Sequence, residues 1–251
     1  MRRLRSWRTI SALRNRGIGV DKTGFFRYDP PVYGTAKYRS RLTRAASTRS
    51  TVNVLGIATS PRRQGNTEIL LDEVLRGAHD ASGSVEKIVL DDLNIAPCRE
   101  CENCVKTGLC VVQDDMQMMY AKLLQTDRLA FASPIFFMGL CAQAKTLIDR
   151  CQAFWIKKYV RKEEIVPAGR VPARRGLFVS VGGTRGEKLF RCAQLTMKYF
   201  FDVIEMGYAD NLTFGRIDSK GEICNHPTAL KRHMRPGRGL LVKMPAPSNA
   251  V

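Results

Sequence analysis

The sequence predicts an α/β domain, a doubly wound parallel five-stranded sheet with helices on both faces. Three observations predict it. Short apolar, β-branched runs alternate with longer segments whose apolar residues recur every three or four positions, and parallel strands need such helical crossovers. The first run, Val52–Ile57, is mostly apolar and β-branched, as in a buried strand. Polar, Gly- and Ser-containing loops follow several of the runs, and in such sheets ligands gather beyond the carboxyl ends of the strands. At 251 residues, with 44% apolar and 25% charged residues, the chain can bury one sizeable core.

The net charge of +18 sits at the ends. Residues 1–50 carry thirteen Lys/Arg against two Asp, and residues 231–251 carry five against none, which leaves the middle near neutrality. A near-neutral middle excludes a nucleic-acid surface on the domain itself. Residues 1–50 lack a core-facing period and are expected to form a basic, disordered N-terminal extension. Their Arg and Ser content also fits a transit peptide or a phosphate-binding arm. Residues 51–245 form the domain, with a cysteine loop inserted at 91–113, and 246–251 are a tail. Apolar runs fall short of a membrane span, and eight cysteines without a secretory h-region point to a reducing, cytoplasmic setting.

Val52–Ile57 reads as the first strand. Ser60-Pro61-Arg62-Arg63-Gln64-Gly65-Asn66-Thr67 is a loop, and Leu70, Leu71, Val74, Leu75 and Ala78 mark the helix after it. A helix N-terminus facing Ser, Thr and Asn donors and Arg62 favours an anion such as a phosphate; the plainer reading is a capped turn. Val85–Leu90 reads as the second strand and leads into the cysteine loop. Asp114-Asp115 then offers an N-cap to a helix with Met116, Met119, Tyr120, Leu123 and Leu124 on its buried face.

Arg128–Ala132 reads as the third strand, running into the loop Ser133-Pro134-Ile135-Phe136-Phe137. Leu140, Ala144, Leu147, Ile148 and Cys151 mark the next helix, in which Asp149 and Arg150 are expected to pair locally. Residues 156–175 read as a surface connection. Leu177–Val181 reads as the fourth strand, ending in Gly182-Gly183-Thr184, where glycines permit close approach to a flat ligand. Leu189, Ala193, Met197 and Phe200 line a helix, and Val203–Met206 is expected to begin the last strand.

Half of the eight cysteines fall in Cys98-Arg-Glu-Cys101-Glu-Asn-Cys104-Val-Lys-Thr-Gly-Leu-Cys110. The spacing C-x2-C-x2-C-x5-C lets a looping backbone aim four thiolates at one object, as a four-iron cluster requires. A tetrahedral zinc site, a redox-active C-x-x-C and inert thiols are the other readings. Asp91, Asp92, Glu100, Glu102, Asp114 and Asp115 outnumber Arg99 and Lys106 around the stretch. That balance predicts a low cluster potential, since added negative charge disfavours reduction.

Over about 52–245 these motifs resemble the flavodoxin-like NAD(P)H-dependent FMN reductases, and among them the iron–sulfur flavoproteins. The resemblance rests on Ser60-Pro61-Arg62 with Gly65-Asn66-Thr67, on Ser133–Phe137, on Lys145 with Asp149-Arg150, on Gly182-Gly183-Thr184 and on the cysteine spacing. Thr59 stands where the family often has glycine, and Phe136 where tyrosine is common.

The resemblance implies an FMN-dependent oxidoreductase with a 4Fe-4S cluster relaying electrons to or from the flavin. Ser60, Arg62, Gln64, Asn66, Thr67, Ser133, Pro134, Ile135, Phe136, Phe137, Gly182, Gly183 and Thr184 would hold FMN, and Cys98, Cys101, Cys104 and Cys110 the cluster. No side chain is assigned a catalytic role, because the flavin carries the chemistry. NAD(P)H or a ferredoxin-like protein is the implied donor, and a homodimer or homotetramer the implied assembly; membrane and nucleic acid are not expected partners. A cluster-free FMN or quinone reductase and a non-catalytic electron carrier are the alternatives.

Overall fold

The computed structural model describes residues 18–20, 26–28, 52–170 and 174–232. The chain divides into two compact units, Met1–Thr48 and Arg49–Val251. In the first, β1 (Ile18–Val20) and β2 (Phe26–Tyr28) pair antiparallel; the rest of the expected extension, residues 233–245 of the expected domain and the 246–251 tail lie outside the described residues.

The second unit carries β3 (Asn53–Ala58), α1 (Asn66–Asp80), β4 (Ser84–Val89), α2 (Asn103–Thr107), α3 (Met116–Gln125) and β5 (Arg128–Phe136). Then come β6 (Gly139–Leu140), α4 (Ala142–Arg150), α5 (Gln152–Trp155), β7 (Arg175–Gly182), α6 (Arg191–Val203), β8 (Gly207–Gly215) and α7 (Ala229–Arg232). The strands run β4-β3-β5-β7-β8, every pair in that path parallel, and β6 folds back antiparallel on β5. The expected five-stranded parallel sheet is therefore present, with a two-residue addition.

Successive strand residues feed opposite layers. Leu55, Ile57, Leu129 and Phe131 face α3, α4 and α6 through Met116, Met119, Leu147, Met197 and Phe200. Val54, Ala58, Ala130 and Ala132 face α1 through Leu70, Leu71 and Val74. Small residues dominate that second face because α1 lies close: a Cβ on Gly56 would come 2.5 Å from Leu75 Cδ1.

Three local expectations change. Val203–Met206 does not begin a strand, because Met197, Phe200, Phe201 and Ile204 continue one buried helical face, and α6 ends before a left-handed Glu205. Burial of that face overrides the β preference of Val and Ile. The 156–175 connection begins with a π-helical segment, Ile156–Arg161, and buries Ile165 and Val166. The Ser133–Phe136 loop is the end of β5, because Ser133 and Pro134 still pair with Ser180 and Val181.

Arg174, fully buried just before β7, ties three helix and loop ends together. Its Nε donates to Thr126 O at 3.0 Å, and its two Nη atoms donate to Ile204 O and Leu123 O. These carbonyls terminate α3 and α6, where the helix dipole favours a cation. Burial pulls the guanidinium down to about 10, so it stays charged at neutral pH. Replacement by Met removes the charged donor and strands three buried carbonyls. Arg174→Met should therefore lower unfolding free energy by roughly 3 kcal/mol in urea titrations while leaving the helical circular dichroism near native.

Candidate functional site

The loops after β3, β5 and β7 meet at the carboxyl edge of the sheet. Ser60, Arg62, Asn66, Thr67, Pro134, Ile135, Phe136, Gly182 and Gly183 line one cleft there. Gln64, Ser133, Phe137 and Thr184 do not line it. Gly65, Val181, Ile217, Asp218 and Lys220 do, and none of these was foreseen as a site residue. Ile217–Lys220 lies beyond β8, in a segment with no motif of its own.

The first loop is built as an anion cradle. Ser60 Oγ accepts from Arg62 N at 3.1 Å, and Gly65 N donates to Arg62 O at 3.2 Å. Gly65 precedes α1 in extended conformation, and no side chain caps the helix. First-turn N–H groups without a cap are what an anion engages. Arg62 and Asn66 also have a second duty. Arg62 Nη1 donates to Asp218 O at 3.2 Å, while Asn66 Nδ2 donates to Ser219 O at 2.9 Å and its Oδ1 accepts from Ile223 N at 3.2 Å. Asn66 thereby fixes the 219–223 segment that walls the cleft.

Glu68 holds the same loop from inside. Its carboxylate accepts from Gln64 N at 2.5 Å and from Lys87 Nζ at 3.1 Å. That contact secures Gln64 in a left-handed conformation, φ 53°, which a side chain other than Asn or Gly rarely adopts.

Ser133 points into the protein. Its Oγ donates to Pro134 O at 3.0 Å and accepts from Cys141 N at 3.3 Å. The buried Cys141 thiol donates to Thr59 O at 3.1 Å, and Thr59 Oγ1 donates to Ala132 O at 2.9 Å. Thr59, Ser133 and Cys141 thus lock the first two loops together, which gives Thr59 a use in place of the family's glycine. The β5–β6 turn places Phe137 and Met138 at positive φ, 48° and 64°, with Phe137 wholly exposed. Gly182 and Gly183 have φ values any residue adopts. A Cβ would come 2.8 Å from Leu189 Cδ2 at the first and 3.2 Å from Asp218 Cβ at the second, so both neighbouring side chains pack close to the glycines.

The cysteine loop leaves the same edge after β4. Leu90–Asp92 forms a 3-10 turn, and α2 stands between Cys101 and Cys110. Glu100 and Glu102, at φ 52° and 59°, swing the backbone so that Cys98, Cys101, Cys104 and Cys110 line one cavity of about 180 Å³. Burial pushes the Cys104 thiol up, and Cys98, Cys101 and Cys110 add to the rise. A bound cation would remove the penalty on ionising the Cys104 thiol. Among the described residues no three His, Cys, Asp or Glu converge on a single metal-ion position. Each iron of a four-iron cluster takes its own thiolate, and four cysteines line this cavity.

The base of this loop is closed by groups the sequence pairing missed. Arg150 bonds not to Asp149 but to Asp114, Nη1 to Oδ2 at 2.6 Å, because Asp149 is held by Lys145 at 2.7 Å. Asp114 Oδ2 also accepts from Ala96 N at 2.9 Å, and Asp115 Oδ2 from Asn94 N at 2.7 Å. Burial raises the Asp114 carboxyl, but Arg150 and the Ala96 and Met116 N–H groups outweigh it and hold it below the usual range.

Residues 52–215, from the strand before the anion cradle to the end of β8, match the NADPH-dependent FMN reductase family. The chain belongs to that family. An iron–sulfur flavoprotein of Methanocaldococcus jannaschii is 30% identical over 167 residues, 65% of this chain and 78% of the relative. A second from that organism is 34% identical over 112 residues, 45% of this chain and 58% of the relative. Against iron–sulfur flavoproteins of Archaeoglobus fulgidus and Methanosarcina thermophila the match spans 45% and 65% of those proteins. These matches place the chain in the iron–sulfur flavoprotein branch of the reductase family. A solved NAD(P)H:quinone oxidoreductase from Methanothermobacter marburgensis shares the fold, with a TM-score of 0.59 at 14% identity, over 78% of this chain and 98% of that one.

Glu68 yields a test of the cradle in this FMN reductase relative. Burial raises its carboxyl, yet Gln64 N–H and Lys87 outweigh that and hold it below the ordinary 4.5. A carboxyl with a depressed folded pKa contributes stability that is full above the unfolded value and lost as pH falls through the folded one. Glu68→Gln should cost about 1–3 kcal/mol at pH 7, and the gap to the native protein should close below pH 4.5. Denaturant midpoints measured across pH 3 to 7, about the model carboxylate range, check both.

Proposed function

We propose that the chain is an FMN-dependent oxidoreductase in which a 4Fe-4S cluster on Cys98, Cys101, Cys104 and Cys110 relays electrons to or from the flavin. The observation that carries the reading is convergence: the cradle, the β5 and β7 loops and the cysteine loop all leave one edge of one sheet. Bound FMN would exchange a hydride with a donor of the NAD(P)H class, and a cluster would move single electrons.

The residues supply binding and orientation. The uncapped start of α1, Ser60, Thr67 and the Arg62 charge suit a phosphate dianion. Pro134, Ile135, Gly182 and Gly183 line the part of the cleft where a flat ring would lie. Phe136 brings no hydroxyl, so the ring's polar edge would depend on backbone groups. A ferredoxin-like donor and a homodimer or homotetramer belong to the same reading.

Cofactor released from anaerobically purified protein should chromatograph as FMN, with about four irons and four acid-labile sulfides per chain. FAD, or one zinc, would refute the corresponding half. Arg62→Ala should weaken FMN binding about tenfold or more, the loss of a charge-assisted hydrogen bond. Asn66→Ala should weaken it too, by releasing the 219–223 wall. Unchanged affinity in both would remove the cleft from consideration. Steady oxidation of NAD(P)H distinguishes the enzyme from a non-catalytic carrier, which would show a single stoichiometric reduction at most.

A further inference from the structure

Arg150, the last residue of α4, is enclosed: its side chain is 0% exposed and that of Asp114 6%. Nη1 donates to Ala96 O at 2.8 Å and to Asp114 Oδ2 at 2.6 Å; Nη2 donates to Asp114 Oδ1 at 3.1 Å and to Val112 O at 3.4 Å. The acceptors lie just before Cys98 and just after Cys110. One guanidinium therefore holds both ends of the cysteine loop.

Its Nε–H is the remaining donor. Among the described residues it is the buried side-chain polar atom without a hydrogen-bond partner. Native proteins rarely strand a buried donor on a charged group, so an orphan of this kind marks a missing acceptor. Arg150 lines the same cavity as the four cysteines, while Asp114 does not. The pair accordingly presents its positive member to the cavity. The Cys110 thiol is also close enough to the guanidinium, and to the Tyr120 hydroxyl beside it, to interact with both.

We propose that Arg150 is a positioning residue that tunes the cysteine-bound cluster, closing its loop and offering one buried charge and one spare N–H to the sulfur ligands, so that the cluster is easier to reduce. The proposal rests on the cluster reading above. Positive charge and hydrogen bonds to sulfur both favour the reduced cluster, which carries one more negative charge. They oppose the low potential that the flanking acids predict. Asp114 is paired with Arg150 and does not line the cavity, and Asp92 is paired with Arg63 at 2.9 Å.

The test uses the full chain carrying FMN and cluster, with the potential read by electron paramagnetic resonance during a redox titration. Two variants are compared. Arg150→Lys keeps the charge but offers no donor at the Nε position. Arg150→Gln with Asp114→Asn removes the charge without leaving a lone buried carboxylate. The double variant should reduce the equilibrium constant for reduction about tenfold, a shift of about 59 mV for a one-electron couple, and Arg150→Lys should reduce it about threefold. Four irons at an unshifted potential in either variant would overturn the proposal. If the double variant loses its iron, the Lys variant decides on the same measurement, and loss of iron there leaves only a structural clasp and also overturns tuning. Native protein that binds no iron after reconstitution would instead overturn the cluster reading beneath it.

Discussion

The buried ion pair between Arg150 and Asp114 is the constraint on which the cysteine loop depends. The stretch from Cys98 to Leu109 buries almost nothing: none of α2 is buried, Leu109 is 62% exposed, and only Gly108 is enclosed. Such a segment gains no hydrophobic stabilisation with which to offset the entropy of ordering it. It is ordered from its base instead. Taking two charges out of water costs several kcal/mol per ion, and that is recovered only when the remaining hydrogen-bonding capacity is filled. Asp114 fills its share with Arg150 and with the Ala96 and Met116 N–H groups. Arg150 fills all but one position.

The two buried arginines show the difference between holding a fold and holding a site. Arg174 places each of its three nitrogens on a carbonyl at the ends of α3 and α6, and the carboxylates of Glu205 and Asp127 act on it without a direct bond. Arg150 has a bidentate acid partner and two carbonyls, yet keeps an unspent donor at the wall of a cysteine-lined cavity. Backbone strain does not follow the same division: Ser82, Lys162, Glu205 and Arg216 have positive φ as well as Gln64, Glu100, Glu102, Phe137 and Met138. Strain of about 1–3 kcal/mol per residue persists only where the surroundings enforce it.

The strand–helix alternation was legible because burial on both sheet faces writes continuous apolar runs, and burial on one helix face writes a 3.6-residue period. The cysteine stretch and the Ser60–Thr67 and Ser133–Phe137 loops were legible because their chemistry is local in sequence. What stayed hidden was long-range. Arg150 reads as a partner for Asp149 when only neighbours are visible; the fold gives Asp149 to Lys145 and brings Asp114 across from α3. Arg161 joins the cysteine loop from outside its sequence neighbourhood, donating to Lys106 O at 2.9 Å. The Asp218–Ile223 wall carries no motif because it contributes backbone atoms to Arg62 and Asn66, and backbone leaves no compositional trace. The Gly182-Gly183 pair lines the cleft and also packs against Leu189 and Asp218.

These long-range contacts meet on one element. Helix α4 begins at Cys141, whose thiol and N–H bind Thr59 and Ser133 in the loops after β3 and at the end of β5, and ends at Arg150, which closes the cysteine loop. Its nine residues span roughly 14 Å at about 1.5 Å per residue. A helix packed by Ala144 and Leu147 into the main core has little freedom to lengthen or tilt. The distance between the cleft and the cysteine cavity is thus set by a rigid rod bonded at both ends, not by the loops themselves. Loops alone could not set it: each carries strained residues and exposed surface, and each would drift without its anchor. A single short helix with a thiol at one end and a guanidinium at the other thus ties the cleft to the cysteine cavity.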